Sequence, residues 1–220
     1  MSGASCRPGP SPTAAALRLD GLRADGPDAL RELLGRLPDP PWDAEVADGD
    51  GLAALLAAEG FEAYARTAVM ARPLEGLPRA TPVPGVRVEE YRNDWADRFG
   101  AAEAAAMEGL AAFCEMGQPT GYESAEGFDA FQVAFDGDGL VGFAQAMVPE
   151  GWINWLGVVP EARRRGIGHL LLAEVGKQVR EARGTHLAAQ VEADGPGQAF
   201  LAKLGFRERG GRRTLMIRRA

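Results

Sequence analysis

Cysteine is scarce in this chain: Cys6 and Cys114 are the two present among 220 residues, too few for a disulfide framework. That scarcity points to a reducing compartment, so a cytoplasmic location is expected. No apolar run approaches the ~20 residues needed to span a bilayer, which excludes helical membrane anchorage as the working assumption. The opening MSGASCRPGPSPTAAALR has neither the basic start nor the continuous apolar stretch of a signal peptide, and residues 1–15 read as a disordered leader. Histidine is equally rare. His169 and His186 do not form a metal-ligand pattern, so no metal is expected, and His186, opening a strand, reads as structural. Nucleic acid is disfavoured as a partner, because the chain carries a net charge of −7 and its basic block lacks interleaved aromatics.

What is present suits a globular protein with a proper core: 46% apolar and 25% charged residues. The abundance of Ala, Arg and Gly fits a GC-rich bacterial genome. Charge is unevenly spread. Residues 1–83 carry 8 basic and 12 acidic side chains, residues 84–150 carry 3 and 13, and residues 151–220 carry 13 and 6. The balances are −4, −10 and +7, and they suggest an anion handled on the C-terminal side and a cation on the segment before it. A solvated surface with clustered charges is the plainer alternative.

Proline-rich stretches at 37–41 and 77–84 punctuate the chain, and the second is the better domain boundary. Before it the patterning predicts strand 16–23, helix 27–37, strand 44–47, helix 51–59 and strand 62–72. Beyond it come strand 86–91, one or two helices over 94–117, and strands 131–136 and 140–148 flanking the hairpin turn Gly137-Asp138-Gly139. Strand 152–160 follows, then an amphipathic helix over 168–184 with Leu171, Val175 and Val179 on one face. The series closes with strand 185–191, helix 197–204 and two strands around Gly210-Gly211. This mixture predicts an α/β (or α+β) fold, a sheet covered by helices.

One internal repeat stands out. AALLAAEGF (53–61) and QAFLAKLGF (198–206) agree at Ala54/Ala199, Leu56/Leu201, Ala57/Ala202, Gly60/Gly205 and Phe61/Phe206. Each is followed by a strand holding a methionine, Met70 or Met216, which favours duplication over chance agreement between Ala-rich helices.

The chemistry-bearing segment is Arg163-Arg164-Arg165-Gly166-Ile167-Gly168-His169, between a strand and a helix. Gly166 and Gly168 lack Cβ, so backbone amides there can approach a ligand closely. Amides opening a helix favour an anion by ~0.3–1 kcal/mol each at exposed sites. Three arginines add bidentate phosphate geometry, and a pyrophosphate is the natural ligand. No Gly-Lys-Ser/Thr follows, which excludes a P-loop, and the third glycine of a dinucleotide fingerprint is missing.

In its wider context, Val158-Val159-Pro160-Glu161 followed by Arg163-x-x-Gly166-x-Gly168 resembles the signature of the GCN5-related N-acetyltransferases (GNAT). Phe200-Leu201-Ala202-Lys203-Leu204-Gly205-Phe206 resembles the end of that family's second motif. The resemblance covers residues 84–220 as a complete domain. It implies a mixed, mostly antiparallel sheet with helices on both faces, in which two adjacent parallel strands splay apart near Leu156–Val159 and Leu187–Val191. Acetyl-CoA would occupy that opening as co-substrate. Its pyrophosphate would lie on the amides of Arg164 to His169 and its pantetheine arm along Gly157, Val158 and Val159. Asp194, Gln198 and Leu201 would border it, and His169 could reach a phosphate.

Two departures from the family pattern stand out. Leu201 replaces the tyrosine that commonly protonates the departing thiolate, and Asp194 stands where asparagine is frequent. A thiolate with a pKa of about 8.5 is nevertheless a tolerable leaving group. A cationic amine acceptor, small molecule or peptide, must lose a proton before attack. Glu150, Glu115 and Glu123 are candidate bases, and Asn154 could orient a water; each is also a common kind of surface residue. Cys114 as nucleophile lacks a sequence partner. Residues 16–78 resemble a truncated copy of the same family without the glycine loop, which implies a partial half-domain that does not bind CoA. Homodimerisation is compatible with such a chain. Two alternatives stay open: a non-catalytic acyl-CoA sensor, motivated by Leu201, and a module for another phosphorylated ligand.

Overall fold

The computed structural model describes residues 4–10, 17–110 and 130–219. Its elements in chain order are β1 (Ala4–Pro10), β2 (Leu17–Ala24), α1 (Pro27–Leu34), β3 (Trp42–Ala47), α2 (Leu52–Ala58) and β4 (Glu62–Pro73). Then come β5 (Val86–Glu90), α3 (Ala96–Met107), β6 (Ala130–Asp136), β7 (Gly139–Met147) and β8 (Trp152–Val158). The chain closes with α4 (Ile167–Glu181), β9 (His186–Glu192), α5 (Pro196–Lys203) and β10 (Arg207–Arg218). Part of the expected leader, residues 4–10, is therefore a strand, antiparallel to β2.

The strands form one open sheet in the order β1-β2-β3-β10-β4-β9-β8-β7-β6-β5. Two neighbouring pairs, β2/β3 and β8/β9, are parallel, and the others are antiparallel. Parallel neighbours need a crossover, which α1 and α4 supply. The chain end differs from expectation. Instead of two strands hinged at Gly210-Gly211, a single β10 continues through the glycines, with its register to β4 shifted between Arg209 and Arg212. Flanked by β3 and β4, the two left-handed glycines are absorbed as a bulge rather than a hairpin.

Three apolar clusters hold the sheet. Amphipathic α4 buries Leu171, Val175 and Val179 against one face, together with Leu187, Leu201 and Phe206. Helix α3 covers the opposite face of β7 and β8 with an aromatic cluster in which Phe99 meets Phe131 and Phe143 edge to face, ring centroids 5.1 Å apart in both cases. A separate N-terminal core packs Leu30, Leu34, Leu52 and Leu56 around Trp42 and Phe61, and takes in Met216 from β10. No helix among the described residues is long and apolar enough to cross a membrane.

The two repeat segments adopt one local geometry. Gly60 and Gly205 both have φ 84°, and Phe61 N–H donates to Leu56 O (3.0 Å) as Phe206 N–H donates to Leu201 O (3.1 Å). More broadly, β2-α1-β3-α2-β4 and β8-α4-β9-α5-β10 follow one order, and both closing strands have 12 residues. Those closing strands are exchanged: β4 pairs with β9 of the other unit, β10 pairs with β3, and the two pair with each other at the centre.

Candidate active site

The site is built where β8 and β9 part. They are in register only at Trp152↔Ala188 and Ile153↔Ala189. At the next residue β8 carries a bulge: Gln145 of β7 faces Trp155 while Ala146 faces Ile153, leaving Asn154 as the extra residue. Beyond it β8 stays with β7 and β9 stays with β4, so a wedge opens between Leu156–Val158 and Gln190–Glu192. A bulge increases local twist and turns the strand away from its neighbour, which is how the sequence at Asn154 makes the opening.

The loop leaving β8 enters α4 beside that wedge. Val159 N–H still bonds Val141 O (3.0 Å), Pro160–Ala162 make a short 3-10 turn, and Gly166 takes φ 95° as the N-cap of α4. A residue with Cβ is strained at that φ, so glycine is what lets the helix start abruptly with its first amides outward. Arg164 also takes the left-handed region, φ 66°. The three arginines have separate tasks. Arg163 folds back, donating from Nε to Val158 O (3.0 Å) and from Nη2 to Ala106 O (3.1 Å), which ties the end of α3 to the end of β8. Arg165 pairs with Asp136 at 2.6 Å. Arg164 is exposed, with no ion pair among the described residues.

The other expected binding residues are dispersed more than sequence spacing implied. Gly157 lies on β8, where a Cβ would meet the Phe143 ring at 2.5 Å and Ala106 Cβ at 3.0 Å. On α4, Gly168 lies against Phe200: a Cβ there would be 3.4 Å from the ring. His169 Nε2 is 3.0 Å from Pro78 O, so the imidazole faces the strap that joins β4 to β5. Asp194, at φ 62°, is held by both Nη atoms of Arg212 (2.7 and 3.0 Å), which pulls its carboxyl below the usual range. Gln198 Oε1 accepts from Asp194 N–H (2.5 Å). Leu201 is 2% exposed and belongs to the core.

The candidate bases separate. Glu150 stands exposed in the turn before β8. Gly157 is seven residues further on, roughly 20 Å away along an extended strand. Asn154 marks the bulge. Glu115, Glu123 and Cys114 lie outside the described residues. Two buried polar groups escaped sequence reasoning. Glu103 on α3 is 3% exposed, and Gln145 on β7 is 1% exposed. Among the described residues, neither Glu103 Oε1 nor either amide atom of Gln145 has a hydrogen-bond partner. Desolvation pushes the Glu103 carboxyl up to about 7. Its sequence signal was faint: one acid in an Ala-rich helix, on the same face as Phe99 and Ala106. No group of three or more metal-ligating side chains occurs among the described residues.

Residues 127–208 match the family model described as an acetyltransferase (GNAT) domain. That segment is similar to a GNAT domain. Solved structures agree on the fold. A GCN5-related N-acetyltransferase from Sphaerobacter thermophilus has TM-score 0.64 and 16% identity, over 98% of this chain and 75% of that one. A GCN5-related N-acetyltransferase from Kribbella flavida has TM-score 0.62 and 19% identity, over 97% and 90%. A tandem GNAT protein from the clavulanic acid biosynthesis pathway has TM-score 0.63 and 19% identity, over 98% and 78%. No curated protein matches the chain in sequence. The matched GNAT segment contains the wedge, the arginine-glycine loop and α4, and acetyl transfer is the general activity it supports.

Proposed function

We propose that this protein is an N-acetyltransferase that moves an acetyl group from acetyl-CoA to a primary amine by direct attack in a ternary complex. The observation that carries the reading is the opening between β8 and β9 with the α4 N-terminus beside it. The residues present suit CoA. Amides at Gly166–Gly168 and the exposed guanidinium of Arg164 offer donors and positive charge to a pyrophosphate. The edge of β8 that β9 leaves beyond Ile153 can hydrogen-bond a pantetheine amide as a neighbouring strand would.

In the reaction the neutral amine nitrogen attacks the thioester carbonyl, its N–C bond forms and the C–S bond breaks. The amine proton passes to a base and the sulfur leaves as thiolate. With Leu201 buried in the core, the thiolate takes its proton from solvent, which a pKa of about 8.5 permits. The acidic segment 84–150 supports a cationic acceptor, since its charge opposes the positive one of the CoA side.

Residues 16–78 read as a partial, degenerate copy of the same unit, preceding the complete domain at 84–220. The matching element order and exchanged strands support this division. Between β2 and α1 only Asp25 and Gly26 intervene, so no phosphate loop exists there and one CoA per chain is expected. A second reading, a non-catalytic acyl-CoA sensor, is favoured by Leu201 alone. Calorimetry with CoA, then free-thiol release from acetyl-CoA with polyamines, aminoglycosides and peptides, separates the two. Tight CoA binding with no thiol release from any acceptor supports the sensor, and absence of CoA binding defeats both.

A further inference from the structure

Buried polar groups in a folded protein are paired almost without exception, because an unpaired one forfeits its hydration. Among the described residues, Glu103 and Gln145 break that rule in one layer, as does the Tyr91 hydroxyl of the same cluster. Glu103 sits one turn after Phe99, whose ring meets Phe143 of β7, and one turn before Ala106, which lies against Gly157 of β8. Gln145 follows Phe143 by two on β7, hence points to the same face. Its cross-strand partner is Trp155, beside the bulge that opens the wedge. The strand faces packed under α3 otherwise present Phe131, Val133, Phe135, Phe143 and Trp155, and Tyr91 is the remaining titratable group of this cluster. Among the described residues no ion pair holds Glu103 charged, and none is needed for the fold: an apolar residue of similar size would pack there without the desolvation cost.

Resting on the acetyltransferase reading above, we infer that Glu103 is the proton acceptor of the site. It works through a water positioned by the Gln145 amide, between the α3 carboxylate and the attacking amine at the Gly157 end of β8. The amide suits this role because Oε1 accepts and Nε2 donates, which orients one water between two partners. The bound ammonium gives one proton through the water to a Glu103 oxygen, leaving the neutral amine that attacks; the second proton leaves the nitrogen for solvent once the N–C bond has formed, and product release returns the Glu103 proton to solvent. A carboxyl titrating close to neutrality is matched to this task, being ionised often enough to accept and basic enough to hold the proton.

The test uses the full chain with acetyl-CoA, spermidine as the protonated amine probe and hydroxylamine as a nucleophile that is already neutral near pH 7. With Glu103→Gln, free-thiol release with spermidine should fall about 100-fold and the acidic limb of its pH profile should vanish. The hydroxylamine rate and CoA affinity should stay within about twofold, since neither needs a base. Gln145→Leu should lower the spermidine rate while keeping the limb. An unchanged rate and limb in Glu103→Gln overturn the inference, as does an equal loss with both nucleophiles, which marks a structural role. Should wild type bind CoA yet release no thiol with either probe or with any acceptor of the panel above, the acetyltransferase reading fails. The infrared carboxyl band lost in Glu103→Gln then decides the inference. A band that disappears with a midpoint near pH 7 in the CoA complex supports a proton acceptor, and one unchanged from about pH 5 to pH 9 overturns it.

Discussion

The two repeated units of this protein differ less in architecture than in what lies at one junction. Both place two parallel strands around a crossover helix and follow with a short helix and a 12-residue strand. Both pairs are in register only at one end, over Leu17–Leu19 in one and Trp152–Ile153 in the other. From β8 to α4, however, the chain takes eight residues, with a 3-10 turn, three arginines and a left-handed glycine cap. From β2 to α1 it takes two. The wedge comes with the topology, whereas the anion site needs the inserted loop. In the N-terminal unit β1 pairs along β2. The exchange of β4 and β10 makes each unit a structural part of the other.

The largest expected effect tests how firmly the C-terminal unit is closed. Gly151 has φ 70°, and a Cβ there would stand 1.9 Å from His186 O, where β8 begins. Gly151→Ala should therefore cost about 4 kcal/mol or more, seen as loss of the cooperative transition in urea. Next come the matched core positions. Leu56→Ala and Leu201→Ala should each cost about 2–5 kcal/mol. Because β4 and β10 are exchanged, each substitution should shift a single transition; two separate transitions would show the units to be independent.

Glu103 has no counterpart in the N-terminal unit, which lacks α3. Its carboxyl is raised to about 7, so the folded state holds a proton that the unfolded chain, near the ordinary value of 4.5, has released. The destabilisation grows as pH rises from about 4.5 to 7 and is complete above that. Glu103→Gln should thus raise stability at pH 8 by up to about 3 kcal/mol and change little at pH 4. Urea titrations at the two pH values check both sign and window. Arg164→Glu should weaken CoA binding about tenfold, or 1.4 kcal/mol, without moving the melting temperature. The smallest effect belongs to the central seam, where Arg66 and the Thr214 hydroxyl hydrogen-bond Asp48 and hold its carboxyl below the usual range. Asp48→Asn should cost at most about 1 kcal/mol at pH 7. That cost should disappear as pH falls below the ordinary carboxylate range, where protonation of Asp48 removes the same interaction.

Local pattern was a good guide wherever one face of an element was buried against a partner near in sequence. Strand alternation located β4, β6 and β7, the Leu171–Val175–Val179 stripe located α4, and the Gly60/Gly205 matches anticipated two equal helix ends. The arginine-glycine segment suggests an anion as its ligand class, because the chemistry of anion binding is local, residing in consecutive amides and guanidinia. Element composition misled where neighbours decided. The glycine pair at 210–211 reads as a turn in isolation, yet pairing with β4 on both sides of it makes it a left-handed bulge within one strand. Glu150 looked well placed by adjacency to β8, but an extended strand carries it far from the strand's other end. Glu103 lies 54 positions from Gly157 and became visible only when α3 was laid across β7 and β8.

By itself, then, the sequence determined the order of elements from β2 to α5, the mixed α/β class and the position of the loop, because each rests on periodicity or contiguous chemistry. Tertiary structure alone decided which strands exchange and which arginine is left for a ligand. It also decided which carboxyl loses its water. Pairing, burial and desolvation depend on groups brought together from distant parts of the chain, and no local pattern encodes that distance.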